Sequence, residues 1–374
     1  MNKVLHINSY YAAGKFYKHL FDEQVKQGID ISVYVPVPHT FNQASFDYGQ
    51  FTTISRNHYK YDRLFFHVKH SKILEDIQKK LIINEYSVLH AHSLFSNGYI
   101  AVKLKEKYEI PYIVTVRNTD VNLFFRKMAV LRALGVKILK EASRVVFLSD
   151  SYREATLAYV PNSLKESIQS KTIIIPNGID NFWFNNLNTE KRCLHEEEIK
   201  FFQVGEINKN KNYLATVEAL EMLRINGLDA RLNLAGQVKS QKIFKALISC
   251  DFVTYYGYLQ KENLLELFHA NDIFILPSIH ETFGLVYAEA MSQGLPVIYT
   301  KGQGFDGQFE EGTVGYHVDP KDPLDIAEKI KMVLENYEHL SRNCLSSVGK
   351  FDWKRIAEQY ESVYMDVLKQ SSNS

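Results

Sequence analysis

Short apolar runs alternating with longer amphipathic segments are what most limits the folds open to this chain. In the first half, β-branched and aromatic runs predict strands at 3–7, 30–35, 87–91, 112–116, 144–148 and 172–175, with helical patterns such as 15–27, 95–109 and 122–142 between them. Strands that are apolar on both faces and separated by helices indicate a parallel sheet covered on both sides. The pattern then restarts, with strands expected at 199–204, 231–235, 253–257, 273–276 and 296–299. Two successive arrays in 374 residues read as an α/β chain of two doubly wound, Rossmann-like domains, each able to bury its own core. The break falls at Pro176-Asn177-Gly178 and the polar stretch 181–198, and a last helix follows the second array at 353–369. In such sheets ligands sit beyond the carboxyl ends of the strands. Functional motifs are therefore expected at strand ends, facing a cleft between the domains.

Composition narrows the setting. Cys193, Cys250 and Cys344 are too scattered for a disulfide framework or a Cys-x-x-Cys metal knuckle. No secretory segment precedes the first strand pattern, and no run approaches the roughly 18 apolar residues of a spanning helix, so a cytoplasmic location is expected. The net charge of +1 conceals an asymmetry: residues 1–180 hold 24 Lys and Arg against 16 Asp and Glu, and the remainder 20 against 27. Halves of opposite charge face different partners, and the first half is expected to meet something anionic.

The segment 272–298, DIFILPSIHETFGLVYAEAMSQGLPVI, carries the most chemistry. A buried strand ends at Pro277-Ser278, a loop carries Glu281, and a helix opening near Phe283-Gly284 carries Glu289. Carboxylates eight residues apart stand roughly 80° from each other on a helix, about two turns apart. The helix start offers unpaired N–H groups and a positive dipole end, which suit a phosphate. A glutamate beside that phosphate can grip a sugar diol through two hydrogen bonds.

This segment resembles the Glu-x7-Glu signature of the family 4 glycosyltransferases, retaining enzymes of the GT-B fold, and Gly284-Leu285, Glu289-Ala290-Met291, Gly294 and Pro296-Val297 fit the same pattern. The resemblance covers nearly the whole chain and extends to bacterial exopolysaccharide and capsule members. It implies an N-terminal acceptor-side domain, 1–176, onto which a C-terminal helix, 353–374, packs back through Phe351-Asp352-Trp353. The nucleotide-sugar domain is then 177–352. It also implies that Glu281 contacts the donor sugar, that Glu289 holds the ribose, and that the backbone of Phe283-Gly284-Leu285 meets sugar and phosphate. Lys211, a few residues past Gly205 at the end of the strand Phe202-Gln203-Val204, matches the family's diphosphate lysine. Glu206 stands where an arginine is usual, with Lys209 the candidate to stand in for the missing charge. Tyr256-Gly257-Tyr258-Leu259 resembles the base-binding turn, and Gly14 the loop that approaches the donor phosphate, with Ala13 where a second glycine is common.

Val88-Leu89-His90-Ala91-His92 ends a strand with two histidines on one face. The family has a histidine here near the reaction centre, and His92 matches it, with His90 buried. No third metal ligand lies nearby in sequence, so no metal is expected. Arg117 and Asp120 resemble an Arg-x-x-Asp of polysaccharide-building members on the acceptor side; a structural pair is the equal alternative. Gly302-Gln303-Gly304-Phe305-Asp306-Gly307 satisfies GxGxxG but follows a late strand, so it is read as a cleft-lining loop and not as a dinucleotide fingerprint.

Cations mix with aromatics over 56–72 and in the helix from Asn122; an ordinary amphipathic helix is the default reading of the second, and an anionic membrane surface is what the mixture of cations and aromatics also suits. A pI near 7.7 and the two-domain plan argue against nucleic acid. The chain is thus expected to be a metal-independent hexosyl- or N-acetylhexosaminyl-transferase with no cofactor. It would use a nucleotide-sugar donor, UDP-linked, and a glycan or lipid-linked glycan acceptor, as a peripheral protein of the inner membrane face. The alternatives are a soluble or protein acceptor, another GT-B chemistry (a nucleotide-sugar epimerase or a phosphorylase), and a catalytically weak accessory subunit.

Overall fold

The structure, a computed structural model, describes residues 3–42, 46–190, 192–194 and 198–372. Of the polar stretch 181–198, Lys191 and residues 195–197 lie outside the described residues. The chain divides into two units: Met1–Gly178 with Trp353–Ser374, and Ile179–Asp352.

The first unit holds a seven-stranded sheet of β1 (Val4–Ile7), β2 (Ile31–Pro38), β3 (Thr52–His58), β4 (Val88–Ala91), β5 (Tyr112–Val116), β6 (Arg144–Phe147) and β7 (Thr172–Ile174). Their order is β3-β2-β1-β4-β5-β6-β7, and every pairing is parallel. The second unit holds β8 (Ile199–Val204), β9 (Ala230–Ala235), β10 (Val253–Tyr255), β11 (Ile273–Ile275), β12 (Val297–Thr300) and β13 (Gly315–Val318), in the order β10-β9-β8-β11-β12-β13, again parallel. Both are doubly wound sheets whose order reverses beside the first strand, between β1 and β4 and between β8 and β11. That reversal opens a crevice at the carboxyl ends of those strands.

Two strands escaped the periodicity. β3, TTISRNH, is a half-polar edge strand without an apolar run. β13 begins at Gly315, where a Cβ would lie 1.8 Å from the Val297 carbonyl oxygen, so the pairing with β12 requires a glycine. The helix expected over 122–142 is also broken. A π-helical turn, Asp120–Phe125, and a 3-10 turn, Ala129–Leu131, precede the α-helix Arg132–Glu141. Arg132 folds back to donate to the carbonyls of Phe125 (2.7 Å) and Arg126 (3.3 Å), satisfying oxygens that the break sets free.

The last helix, Trp353–Ser372, belongs to the first unit and packs on the helix Phe16–Lys26, with the Trp353 and Phe16 rings 5.1 Å apart. Gly178 passes directly over Trp353, where a Cβ would fall 2.5 Å from the indole. Among the described residues, no helix is long and apolar enough to cross a membrane.

Candidate active site

In the second unit the crevice forms where three strand ends meet. Gly205 follows β8 and donates to Ala235 O (3.0 Å); Gly236 follows β9 and donates to Gly257 O (2.7 Å) in the turn after β10. A Cβ on Gly236 would lie 1.8 Å from Gly205 O, so this approach exists only because Gly236 has no side chain. The adjoining turn is the expected base-binding segment. Gly257 has φ +80°, Leu259 is half-buried, and Tyr256 and Tyr258 are exposed.

The loop after β8 is fastened to the loop after β11. Asn210 accepts from Ile279 N (2.8 Å) through its carbonyl and trades hydrogen bonds with the His280 backbone through its side chain (2.9 and 3.0 Å). Asn212, with φ +56°, donates to Pro277 O (3.0 Å) and Pro320 O (2.6 Å). Between them Lys211 extends along Gly205 and its Nζ lies 2.6 Å from Glu281 Oε2. Two residues 70 apart in sequence are thus joined in a largely buried ion pair. Glu206, by contrast, is exposed and accepts from Asn208 Nδ2 at 3.2 Å.

The GxGxxG segment buttresses Glu281. Gln303 Oε1 accepts from Glu281 N (3.0 Å), and Gly304 N donates to Glu281 O (3.4 Å). A Cβ on Gly304 would stand 2.0 Å from Thr282 O, so backbone lies on backbone here. Gly284, φ +75°, caps the helix Leu285–Ser292, and a Cβ there would strike the Tyr287 ring at 2.3 Å. Tyr287 OH bonds to Leu276 O (2.5 Å), fixing the helix start at the end of β11. Phe283 is buried near the Phe351 ring (6.0 Å), which leaves only its backbone for a ligand.

Glu289 sits on this helix, half-buried. Burial raises its carboxyl to about 7, against the Trp183 N–H, which donates to it, and with Asp180 and Lys261 nearby. Lys261 pairs with Asp180 at 2.8 Å. Sequence reasoning missed Trp183 and Lys261 at this position, and nothing local signals them: they lie 106 and 28 residues from Glu289.

In the first unit the corresponding crevice gathers Gly14, His92, Arg117 and Asp120. Gly14 is extended (φ 163°), and a Cβ there would meet nothing within 4 Å. His92 was expected to be the presented histidine and His90 the buried one, but both are wholly buried. Beside them lies a third ring, His6, opposite His90 in the β1–β4 register. His6 Nδ1 lies 2.9 Å from His92 Nε2, and His90 is held by Tyr364 OH (2.8 Å) and Thr115 Oγ1 (2.9 Å). Desolvation keeps all three neutral, lowering His6 to about 3 and the other two well below their ordinary value.

The trio supplies the third potential metal ligand that the local sequence lacked. Within the trio, however, His6 Nδ1 and His92 Nε2 are turned to each other in their own hydrogen bond at 2.9 Å, and both nitrogens of His90 are engaged by Tyr364 and Thr115.

Arg117 and Asp120 do not meet through their charged ends. Asp120 accepts from the backbone of Leu94 (2.9 Å), Phe95 (3.1 Å) and Arg117 (2.9 Å), and burial lifts it to about 6. Arg117 donates to Asn177 Oδ1 (2.9 Å) and His92 O (3.3 Å) and lies over the Tyr17 ring. Both side chains hold strand ends in place.

Two family models match consecutive parts of the chain: glycosyltransferase family 4 over residues 13–181, and glycosyl transferases group 1 over residues 186–344. The N-acetyl-alpha-D-glucosaminyl L-malate synthase of Bacillus anthracis is 26% identical over 319 residues, spanning 81% of this chain and 80% of its own. Among solved structures, sucrose-phosphate synthase from Thermosynechococcus elongatus superposes with a TM-score of 0.72 at 19% identity, covering 99% of this chain and all of the other. Anabaena HepE in complex with UDP does so with a TM-score of 0.68 at 16% identity, covering 98% and 100%. At such identity the structural likeness is one of fold. With both arrays matched by their family models, this chain belongs to the family 4 glycosyltransferases and is a glycosyltransferase of the GT-B type.

Proposed function

We propose that the protein is a retaining transferase that moves a hexosyl or N-acetylhexosaminyl group from a UDP-sugar to a lipid-linked glycan during bacterial polysaccharide assembly, without a metal ion. The observation that carries this reading is the Lys211–Glu281 pair at the β8–β11 reversal, beside the glycine-lined strand ends. A diphosphate lying there would take Lys211 Nζ and the N–H groups opening the helix Leu285–Ser292, while Glu281 turns to the sugar hydroxyls and Glu289 to the ribose. The backbone N–H groups at the helix start are already held in place and stabilise the charge on the departing phosphate with little reorganisation, and Lys211 joins them by exchanging Glu281 for the phosphate.

In the transfer, the bond from the anomeric carbon to the β-phosphate oxygen breaks and the nucleoside diphosphate leaves with the electron pair. The acceptor oxygen bonds to the same face of that carbon, and its proton passes to the leaving phosphate oxygen. No protein nucleophile is required. Support for a UDP donor comes from the fold's likeness to a UDP complex. Support for an anionic, lipid-bound acceptor comes from the cationic first half.

The test is turnover of UDP-, GDP- and ADP-sugars with and without a lipid-linked glycan extract, with the anomeric configuration of the product read by NMR. Release of UDP that requires the extract, with retained configuration, is expected. Turnover only with small soluble acceptors would overturn the acceptor, inversion would overturn the mechanism, and nucleotide binding without any turnover would leave an accessory subunit.

A further inference from the structure

Apolar exposure on the first unit is concentrated in one place. Within residues 59–68, Tyr59, Tyr61, Leu64, Phe65 and Val68 all face solvent, Leu64 by 82% and Phe65 by 63%. They lie on the 3-10 turn Lys60–Leu64 and the first turn of the helix Phe66–Lys80. The turn is braced from within. Asp62 accepts from Tyr59 N (2.8 Å) and pairs with Lys72 (2.8 Å), and Tyr59 and Tyr61 stack with centroids 5.2 Å apart. Phe66 points inward to the Tyr99 ring (5.6 Å) and meets the Phe124 ring (6.2 Å). Next to Phe124, Leu123 is exposed, and Val130 beyond it by 89%.

The charge around these side chains has one sign. Lys60, Arg126 and Lys127 are exposed. Asp62 is the only carboxylate in 59–72 and is buried against Lys72, and 121–140 contain none. A lone exposed leucine needs no explanation, but a braced cluster of aliphatic and aromatic side chains ringed by cations does. Nucleic acid would leave Leu64, Val68 and Val130 without a role. The surface of an anionic bilayer uses every part: the aliphatic tips reach the acyl boundary, the tyrosines sit at headgroup depth, and the cations meet phosphates.

We propose that residues 59–68 and 123–130 form a membrane-docking face that seats the first unit on anionic lipid. The proposal rests on the lipid-linked-acceptor reading, since it brings the enzyme to the surface where that acceptor resides.

Flotation of the full chain with vesicles tests it. The wild type is expected to float with equimolar phosphatidylcholine and phosphatidylglycerol, to stay behind with phosphatidylcholine alone, and to be released by salt. The double variant Leu64→Ser/Phe65→Ser should lose about tenfold or more of its vesicle affinity with an unchanged urea midpoint, because both side chains are exposed. Lys60→Gln/Arg126→Gln/Lys127→Gln should bind weakly and lose the salt dependence. Phe65→Trp should shift its emission to the blue on anionic vesicles, against a background of Trp183 and Trp353, which are both buried.

A wild type that does not float, a serine double variant that binds equally, or a soluble dimer that this variant converts to monomer would each overturn the proposal. The two readings fail separately. Transfer to the lipid-linked acceptor in detergent by a protein that never floats would remove the docking face alone. A protein that floats but glycosylates only soluble acceptors would remove the acceptor reading and leave the face standing.

Discussion

Replacing Gly304 by alanine asks whether the GxGxxG segment holds Glu281 in place. The added Cβ would lie 2.0 Å from Thr282 O and 2.7 Å from Phe283 Cα, both backbone atoms without a rotamer to give way. Side-chain carbons do not approach closer than 3.0 Å, so the two loops must part by about 1 Å. That movement breaks the bonds from Gly304 N to Glu281 O (3.4 Å) and from Glu281 N to Gln303 Oε1 (3.0 Å). Two hydrogen bonds at about 1 kcal/mol each cost about 2 kcal/mol of stability, which lowers Tm by roughly 4–8 °C for a unit of this size. The larger effect is on rate. A displacement of about 1 Å at a positioning group costs on the order of 100-fold, and here it moves the carboxylate that pairs with Lys211. The assay is kcat/KM with the donor found in the panel, beside a thermal melt. Gly302→Ala is the control. Its φ of +71° strains an alanine but no atom lies within 4 Å, so it should cost about 1–2 kcal/mol of stability and leave the rate alone. Wild-type kinetics for Gly304→Ala, or an equal rate loss in Gly302→Ala, would refute the buttress.

Nucleotide affinity should depend on Glu289 and on pH. With the free carboxyl at about 7, the ionised form that accepts ribose hydroxyls is depleted below neutrality, so the Kd measured by calorimetry should rise about tenfold per unit of falling pH. Glu289→Ala should weaken binding by roughly 1–3 kcal/mol and flatten that profile, and unchanged affinity would exclude the ribose role. Acid should destabilise the first unit. Histidines lowered in the fold leave the unfolded chain to take up protons below its ordinary value of 6.5, so stability falls with pH by up to about 1.4 kcal/mol per unit for each of His6, His90 and His92. Asp120, raised by burial in the same unit, holds a proton that the unfolded chain lacks and offsets part of the loss. Urea midpoints at pH 7 and 5 check the sign, and an equal or higher midpoint at pH 5 would contradict it. Gly14→Ala should leave Tm unchanged, because its backbone is extended and its surroundings open, so any loss of donor affinity in that variant reports a ligand approaching Gly14.

Much of the fold is written locally. β1, β4, β5, β11 and β12 are buried along their whole length and mostly apolar because both faces of a parallel sheet are covered, and that pattern is visible in windows of a few residues. β3 lies at an edge, with fewer apolar positions to show, and β13 is set by the glycine it needs beside Val297. The break within 122–142 has no Gly or Pro at the point of rupture. It follows from the inward packing of Phe124 and Phe125 against Phe95, and from Asp120 being tied to the backbone at Leu94 and Phe95.

The site divides in the same way. The Glu281–Glu289 spacing and Lys211 after Gly205 are short motifs, legible because a strand-end loop and the following helix lie next to each other in sequence. That Lys211 and Glu281 touch depends on β8 pairing with β11, an order no local window encodes. The same holds for His6 beside His92, 86 residues apart, and for Trp183 beneath Glu289. Periodicity fixes which residues are buried in each element. Which buried groups become partners is decided by the order of the strands, because that order alone brings distant chain segments within hydrogen-bond reach.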